Sequence, residues 1–471
     1  MVSAGKMTVR VAVLALVASV VVFAPREHVS AVGSVIPIRA EEVAAPVDRA
    51  LVFQLPFAAD HIALHWPGPH SAQVSVALSR DGVNFDVPVA VRLDEVGVDH
   101  PNGESYGAVM AARQVTHVRV IADRPLGRVS VLTMVDGEPR EVTGPVVAGA
   151  VGAQVAEPSV TTRAQWGADE AYRFRRQKGK NVEVWPPDFH RVQKLVVHHT
   201  ATANVFTPGE AMAELRAIYY YHAVTQGWGD IGYNFIVDQT GKLYEGRYSG
   251  ASASAPPTGE DTEGRVVTAG HTYQHNVGTV GVAVLGDSTA QPPTVAAQDK
   301  LVELLAWQAA RHHLDPRRTA TYRNVVNDVT REITNISGHR DYVATACPGD
   351  ALYPQLTDLR ERVLTASGVG DGDVTAPPSA PQLTATGGRR QVALSWQASP
   401  ESWPAESGVA YYEIQRAPGP TGTFSAINHT DDWILSYTDA GIRGEYRYQV
   451  VAVDGAGNRG EPSPVVVGRA T

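Results

Sequence analysis

The chain has a single cysteine, Cys347, in 471 residues, so no disulfide can form within it. Each module must therefore stand on its own packed core, and the lone cysteine must be a packing residue, a nucleophile or a metal ligand. Basic charge is also short. Lys and Arg number 40 against 49 Asp and Glu, a formal net charge of −9. A net acidic chain lacks the electrostatic footprint for nucleic acid or anionic surfaces, and no nucleic-acid partner is expected. No internal repeat is present. The longest apolar stretch, Val11 to Ala24, is too short to span a bilayer comfortably.

That stretch follows Lys6 and Arg10 and precedes the small residues Val29-Ser30-Ala31, the layout of a secretory signal peptide over residues 1–31. Removing Lys6, Arg10, Arg26 and Glu27 takes away a net +2, so −9 becomes −11. Residues 45–141 carry short alternating runs, such as Gln73–Leu78 and His117–Ile121, parted by turn signals at Arg80-Asp81-Gly82 and Asp136-Gly137. They predict a β-sandwich-like or jelly-roll module. Its histidines, His61, His65, His70 and His100, share no metal-like spacing and are expected as scattered polar groups on the surface. Residues 142–159 and 367–378 read as linkers, which predicts that the segment between them folds by itself.

Residues 379–469 hold the strand-like runs Gln391–Trp396, Tyr411–Gln415 and Tyr446–Val453. Trp396 is where a two-sheet sandwich buries an aromatic, and Tyr446 is where a tyrosine corner would sit. This segment resembles a fibronectin type III domain. That fold serves many functions, and binding of cell-wall or other polysaccharide is the expectation for it here.

The middle segment, 160–366, alternates strand and helix patterns and predicts a mixed α/β core with flanking helices. Lys194–Val197, Asn234–Val237 and Val280–Leu285 read as buried strands. Thr207-Pro208-Gly209-Glu210 is a capping box opening a helix out to about His222, with Met212, Leu215, Ile218 and Tyr219 on one face. Thr294 opens a second helix ending near Leu314, where His312 and His313 are expected as solvated C-terminal cations. One histidine of the His198-His199 pair, with His339 and Cys347, makes an N/N/S set that leaves zinc one open position, the pattern of a catalytic site. Alternation along a strand sends His198 and His199 to opposite faces, so both cannot reach one ion. Alternation does not say which face holds the metal.

Six segments then occur in order: Thr162–Ala168, Val197–Thr202, Gly227–Phe235, Gly241–Arg247, Ala269–Thr272, and Gly338–Asp341 followed by Ala346-Cys347-Pro348. Over about residues 160–365 the chain resembles the peptidoglycan recognition proteins, which share their fold with type 2 N-acetylmuramoyl-L-alanine amidases and phage T7 lysozyme. The resemblance implies Zn2+ held by His198, His339 and Cys347, and a catalytic tyrosine at Tyr233. Thr345, taken with Tyr233 as a catalytic candidate, stands where the phage enzyme has a lysine, as in animal amidase members, so the substitution does not argue against activity. His222, Trp228, His271 and Asn276 are the candidate substrate-groove residues. For His222 and Trp228 the alternative is helix-to-loop packing. No carboxylate stands out as a general base, and Asp341 reads as structural. The resemblance implies an enzyme that cuts peptidoglycan between glycan and stem peptide, and with the leader segment the expectation is a secreted bacterial protein, extracellular or at the cell wall. The alternative is a non-catalytic wall-binding module.

Overall fold

A computed structural model of the chain describes residues 30–68, 71–94, 103–145, 155–204, 207–250, 258–369, 373–401 and 407–471. The apolar leader segment and His70 and His100 lie outside the described residues. Among the described residues no helix is long and apolar enough to cross a membrane.

The N-terminal module is one seven-stranded antiparallel sheet. It begins before residue 45, with the strand Ile38–Val47. Its longest strand, Ala50–Pro67, breaks register between Gln54 and His61. Both halves of that strand, through Phe53 and Leu55 and through Ile62, Leu64 and Trp66, contribute to one core with Val118, Val120 and Val131. A bulged strand bends, which is how a single sheet wraps its own core. The start of the expected linker is not irregular. Arg140–Pro145 pairs antiparallel with Ser30–Val35. Nor are the described histidines free surface groups. His61 is buried, and burial pulls its pKa down to about 4. His65 sits between Glu104 and Glu42.

The middle segment is built on a six-stranded mixed sheet, in the order Val160–Thr161, Leu243–Glu245, Phe235–Val237, Thr279–Val284, Lys194–His199 and Ile336–Gly338. The last four of these strands run parallel to one another, and parallel strands buried on both faces read as the near-continuous apolar runs seen here. Leu195 and Val197 face the helices Val295–Arg311 and Leu356–Ser367 in one core with Val280, Val282, Leu301 and Leu305. The other face carries the helix Pro208–Tyr220, capped by Thr207, whose side chain accepts from the Glu210 N–H. This helix ends in one π-helical turn, Tyr221–Thr225, a local widening that often marks functional sites. His312 departs from expectation. It is buried against Glu260, Nε2 to Oε1 2.9 Å, because the last helical turn packs inward.

Two antiparallel sheets, of three and four strands, form the C-terminal module around Trp396, Tyr412, Ile414, Tyr448 and Val450. The buried, bonded tyrosine is Tyr448, whose hydroxyl donates to Asp439 at 2.9 Å, whereas Tyr446 is only half-buried.

The three modules are not beads on a string. Ile38, Ala63, Tyr106, Leu132 and Met134 of the N-terminal sheet share one apolar core with Trp166, Leu215, Ile218 and Tyr221. That continuity argues against independent folding of the middle segment, since excision would expose one side of its core to water. The C-terminal module docks through polar groups. His190 lies between Asp188 (2.7 Å) and Asp431 (2.5 Å), and Arg191 pairs with Asp432 at 3.1 Å.

Burial pulls the His190 pKa down, but its two carboxylate partners outweigh this and hold it at about 9. A folded pKa above the unfolded value of 6.5 contributes stability that is complete below that value and lost as pH rises through about 9. Neighbouring Asp432, raised to about 7 by burial and Asp431, titrates lower. Calorimetry between pH 7 and 9.5 should therefore show the melting temperature falling more steeply in wild type than in His190→Gln. Parallel curves would disprove the linkage.

Candidate metal centre and its surroundings

Two adjacent parallel strands bring the histidines together. Val197 pairs with Gly338, so His198 and His339 are the next residues at the carboxyl ends of neighbouring strands, where α/β sheets place their sites. Cys347 returns on the following loop, which Arg340 clamps. Its backbone N–H and Nε reach the Cys347 carbonyl at 3.1 and 3.2 Å, and Nη1 reaches Asp350 at 2.9 Å. Thr345 serves the same loop. Its Oγ1 accepts the Cys347 N–H at 3.0 Å, so it shapes the turn beneath the sulfur and is not seen among the residues lining the cleft. Asp341 accepts the Gly338 N–H at 2.8 Å and the Tyr353 hydroxyl, the turn-capping role expected of it.

One ligand atom each from His198, His339 and Cys347 lie within 4.8 Å of one another, and all three residues are buried. The Cys347 sulfur is 3.7 Å from His198 Nδ1 and accepts the His199 backbone N–H at 3.4 Å. His199 itself is turned to other work: its Nδ1 accepts the Ser288 N–H at 3.0 Å. Among the described residues, nothing hydrogen-bonds the buried His339 Nε2. A buried polar atom without a partner costs about 1–3 kcal/mol, and a metal ion would satisfy it.

Hydrogen bonds also fix the His198 tautomer. Thr279 Oγ1 donates to the His275 carbonyl (2.8 Å), so it accepts from His271 Nε2 (3.1 Å). His271 Nδ1 is then an acceptor, and His198 Nε2–H donates to it at 3.0 Å. The lone pair on His198 Nδ1 is left pointing toward the sulfur. Such partners orient ligating imidazoles. Burial drives the pKa of His198 far down, and those of His271 and His339 to about 3, so all three rings are neutral. A ring this close to the strand requires Gly281, where a Cβ would lie 2.3 Å from His271.

Tyr233 stands beside this group, its ring centroid 5.6 Å from that of His198. It is 3% exposed. Burial, then the charges of Asp94 and Cys347, push its pKa well above the ordinary value, and the hydroxyl keeps its proton. The turn before it is pinned by Asp230, fully buried between Arg163 (2.9 Å) and Arg247 (2.7 Å). Burial alone would raise the Asp230 pKa, but the two arginines outweigh it and the group lies below its usual range.

Of the expected groove residues, three are buried and one is spent on its own loop. His271 is fully buried behind His198. The Asn276 side chain accepts the His271 and Thr272 N–H groups. Trp228 packs on His222, rings 4.7 Å apart, and His222 reaches only a small void of about 10 Å³ shared with Asp94 and Tyr233. The helix-to-loop packing alternative describes both. The cleft itself, about 310 Å³, is lined on one side by His199, Thr200, Tyr233, His339 and Cys347. Its other wall is Ala72–Ser75 and Ala90–Asp94 of the N-terminal sheet. Sequence reasoning missed that wall, and no local signal marked it. By contrast, Arg163, Asp230 and Arg247 lie in three of the shared segments, where buried charges that pair with one another were legible in principle.

Residues 188–350 match the family model described as N-acetylmuramoyl-L-alanine amidase. The human protein of that name is 34% identical over 203 residues, 42% of this chain and 28% of the relative. Peptidoglycan recognition protein 1 of Bos taurus is 29% identical over 196 residues, 41% of this chain and 80% of the relative. The solved structure of wild-type PGRP-LB from Drosophila is 21% identical, covering 42% of this chain and 92% of that one, with a TM-score of 0.30. The chain thus spans under a third of the human relative and most of the bovine one. Residues 188–350, which match the amidase family model, are also the segment that brings His198, His339 and Cys347 together.

Proposed function

We propose that the chain is a secreted, zinc-dependent amidase that hydrolyses the bond between N-acetylmuramic acid and L-alanine in peptidoglycan. The observation that carries it is the buried N/N/S convergence of His198, His339 and Cys347, with an orphaned His339 Nε2 and a hydrogen-bond chain that frees His198 Nδ1. These donors suit zinc. Zinc held there supplies Lewis acidity toward an amide carbonyl and toward water. The chain's own residues do the rest. The His271–Thr279 pair orients His198, the His199 N–H anchors the Cys347 sulfur, and the protonated Tyr233 offers a hydrogen bond to oxygen that gains charge as the amide carbon becomes tetrahedral. Ala72–Ser75 and Ala90–Asp94 bound the far side of the cleft. Export through the leader and attachment to wall polysaccharide by a fibronectin-like segment at 379–469 belong to the same proposal.

The test is mass spectrometry of products from the full chain, incubated with purified sacculi and with soluble muropeptides. Free stem peptides beginning at L-alanine should appear, vanish with a chelator and return with zinc. Sacculi bound but uncut by zinc-loaded protein would instead support the binding-module reading.

A further inference from the structure

Asp94 belongs to the N-terminal module, in the loop after the strand Val89–Ala90, yet it stands at the proposed hydrolytic cleft. Its backbone is pinned by an N–H bond to the Tyr106 carbonyl at 2.8 Å. Its side chain is only 8% exposed, and Oδ2 contacts His222 Nε2 at 3.0 Å and Gln226 Nε2 at 2.6 Å. His222 in turn accepts the Gly232 N–H on Nδ1 at 3.2 Å. A ring nitrogen that accepts a backbone N–H carries no proton, so the imidazole hydrogen is on Nε2 and points at Asp94. Gly232 is the residue before Tyr233, and its carbonyl is held by the Gly270 N–H at 2.9 Å. One unbroken chain therefore runs from the N-terminal module through the π-helical turn to Gly232, the residue before Tyr233.

We infer that Asp94 is a positioning residue for the proposed hydrolysis, holding Tyr233 in place through His222, and that the N-terminal sheet is a fixed wall of the cleft. The inference rests on the amidase reading. Asp94 acts on the reaction through another residue: it fixes the His222 tautomer, and His222 holds the Ile231–Gly232 peptide, one peptide before Tyr233. Its negative charge also reinforces burial in keeping the Tyr233 hydroxyl protonated.

The wall is fixed, and not a lid, because its contact with the middle segment is a continuous core and not a polar seam. Besides the shared apolar cluster, Arg216 is buried and makes a two-pronged pair with Asp136, 2.9 and 2.5 Å. The Tyr221 hydroxyl donates to the Leu64 carbonyl at 3.2 Å, and the Ile36 N–H to the Gly167 carbonyl at 3.1 Å. Parting such a surface would strand buried donors and acceptors on both sides.

The full chain with Asp94→Ala and Asp94→Asn tests this. Bound zinc, kcat and KM on a soluble muropeptide, and the His222 tautomer by ¹⁵N NMR are the readouts. Asp94→Ala should keep one zinc per chain and lose roughly 10–100-fold in kcat with KM little changed, the scale of an outer-layer partner. Asp94→Asn, whose amide oxygen still accepts from Nε2–H, should recover most of that loss. In wild type and Asp94→Asn the His222 proton should sit on Nε2, and in Asp94→Ala the tautomers should mix. An unchanged kcat in Asp94→Ala, or an Nδ1 proton in wild type, overturns the inference. Should Asp94→Ala fail to fold, the wild-type tautomer and the Asp94→Asn kinetics decide. A wild-type chain that releases no peptide sinks the amidase reading, while the tautomer still reports on the Asp94–His222–Gly232 chain.

Discussion

Replacing Cys347 by alanine is expected to remove zinc and hydrolysis together, with activity falling by about a thousandfold or more, since the metal carries several kcal/mol of transition-state stabilisation. The sulfur is the one anionic ligand available in the buried group, and its loss leaves two imidazoles that cannot hold the ion against water. The variant should still fold. Cys347 is small and buried among backbone partners, so alanine removes one atom. Calorimetry separates metal loss from unfolding. Zinc should raise the melting temperature of wild type, because a ligand that binds only the folded state stabilises it, and should leave Cys347→Ala at the apo value. A variant that retains one zinc per chain would show that the ligand set is wrong.

The sequence already held the residues of this centre, because a single cysteine lies eight residues after His339 and a histidine pair ends an apolar run upstream. Alternation could not choose between His198 and His199. The choice is made by contacts distant in sequence: the Ser288 N–H occupies His199 Nδ1, while Thr279, through His271, frees His198 Nδ1. Local periodicity cannot see such partners. The same reason explains the groove residues. His222, Trp228, His271 and Asn276 sit in or beside recognisable segments, but a segment marks importance without saying whether a side chain touches substrate or the residue that does. His271 is behind His198 and His222 behind the turn into Tyr233.

The middle fold was legible because its buried parallel strands and capped helices follow from local pattern. The helix Pro208–Tyr220 starts where Thr207 and Glu210 say it should. Docking of the N-terminal sheet was not legible. Its contact face alternates like any half-buried strand, and nothing in Ile38, Ala63 or Met134 reveals that the second layer over them is a helix from another module. Asp94 is the clearest case: an acid in a turn-rich stretch whose role exists only because the two modules share a core.

Tyr233→Phe is expected to separate binding from chemistry. The substitution removes one oxygen and almost no volume from a side chain that is 3% exposed, so packing against His198 and His222 should persist. Among the described residues no group hydrogen-bonds the Tyr233 hydroxyl, so its loss should strand no buried partner, and zinc content and melting temperature should stay close to wild type. The hydroxyl is protonated, and Tyr233 lines the cleft together with His339 and Cys347, the place for a donor to developing oxyanion charge. A positioned donor of this kind contributes about 2.7–4 kcal/mol, a factor of roughly 10²–10³ in kcat. Because the interaction is made only as charge develops, kcat and kcat/KM should fall together while substrate affinity holds. Cleavage at the wild-type rate would end the donor role. Loss of zinc or an early melt would make Tyr233 a structural residue, and the carbonyl oxygen would then depend on the metal alone.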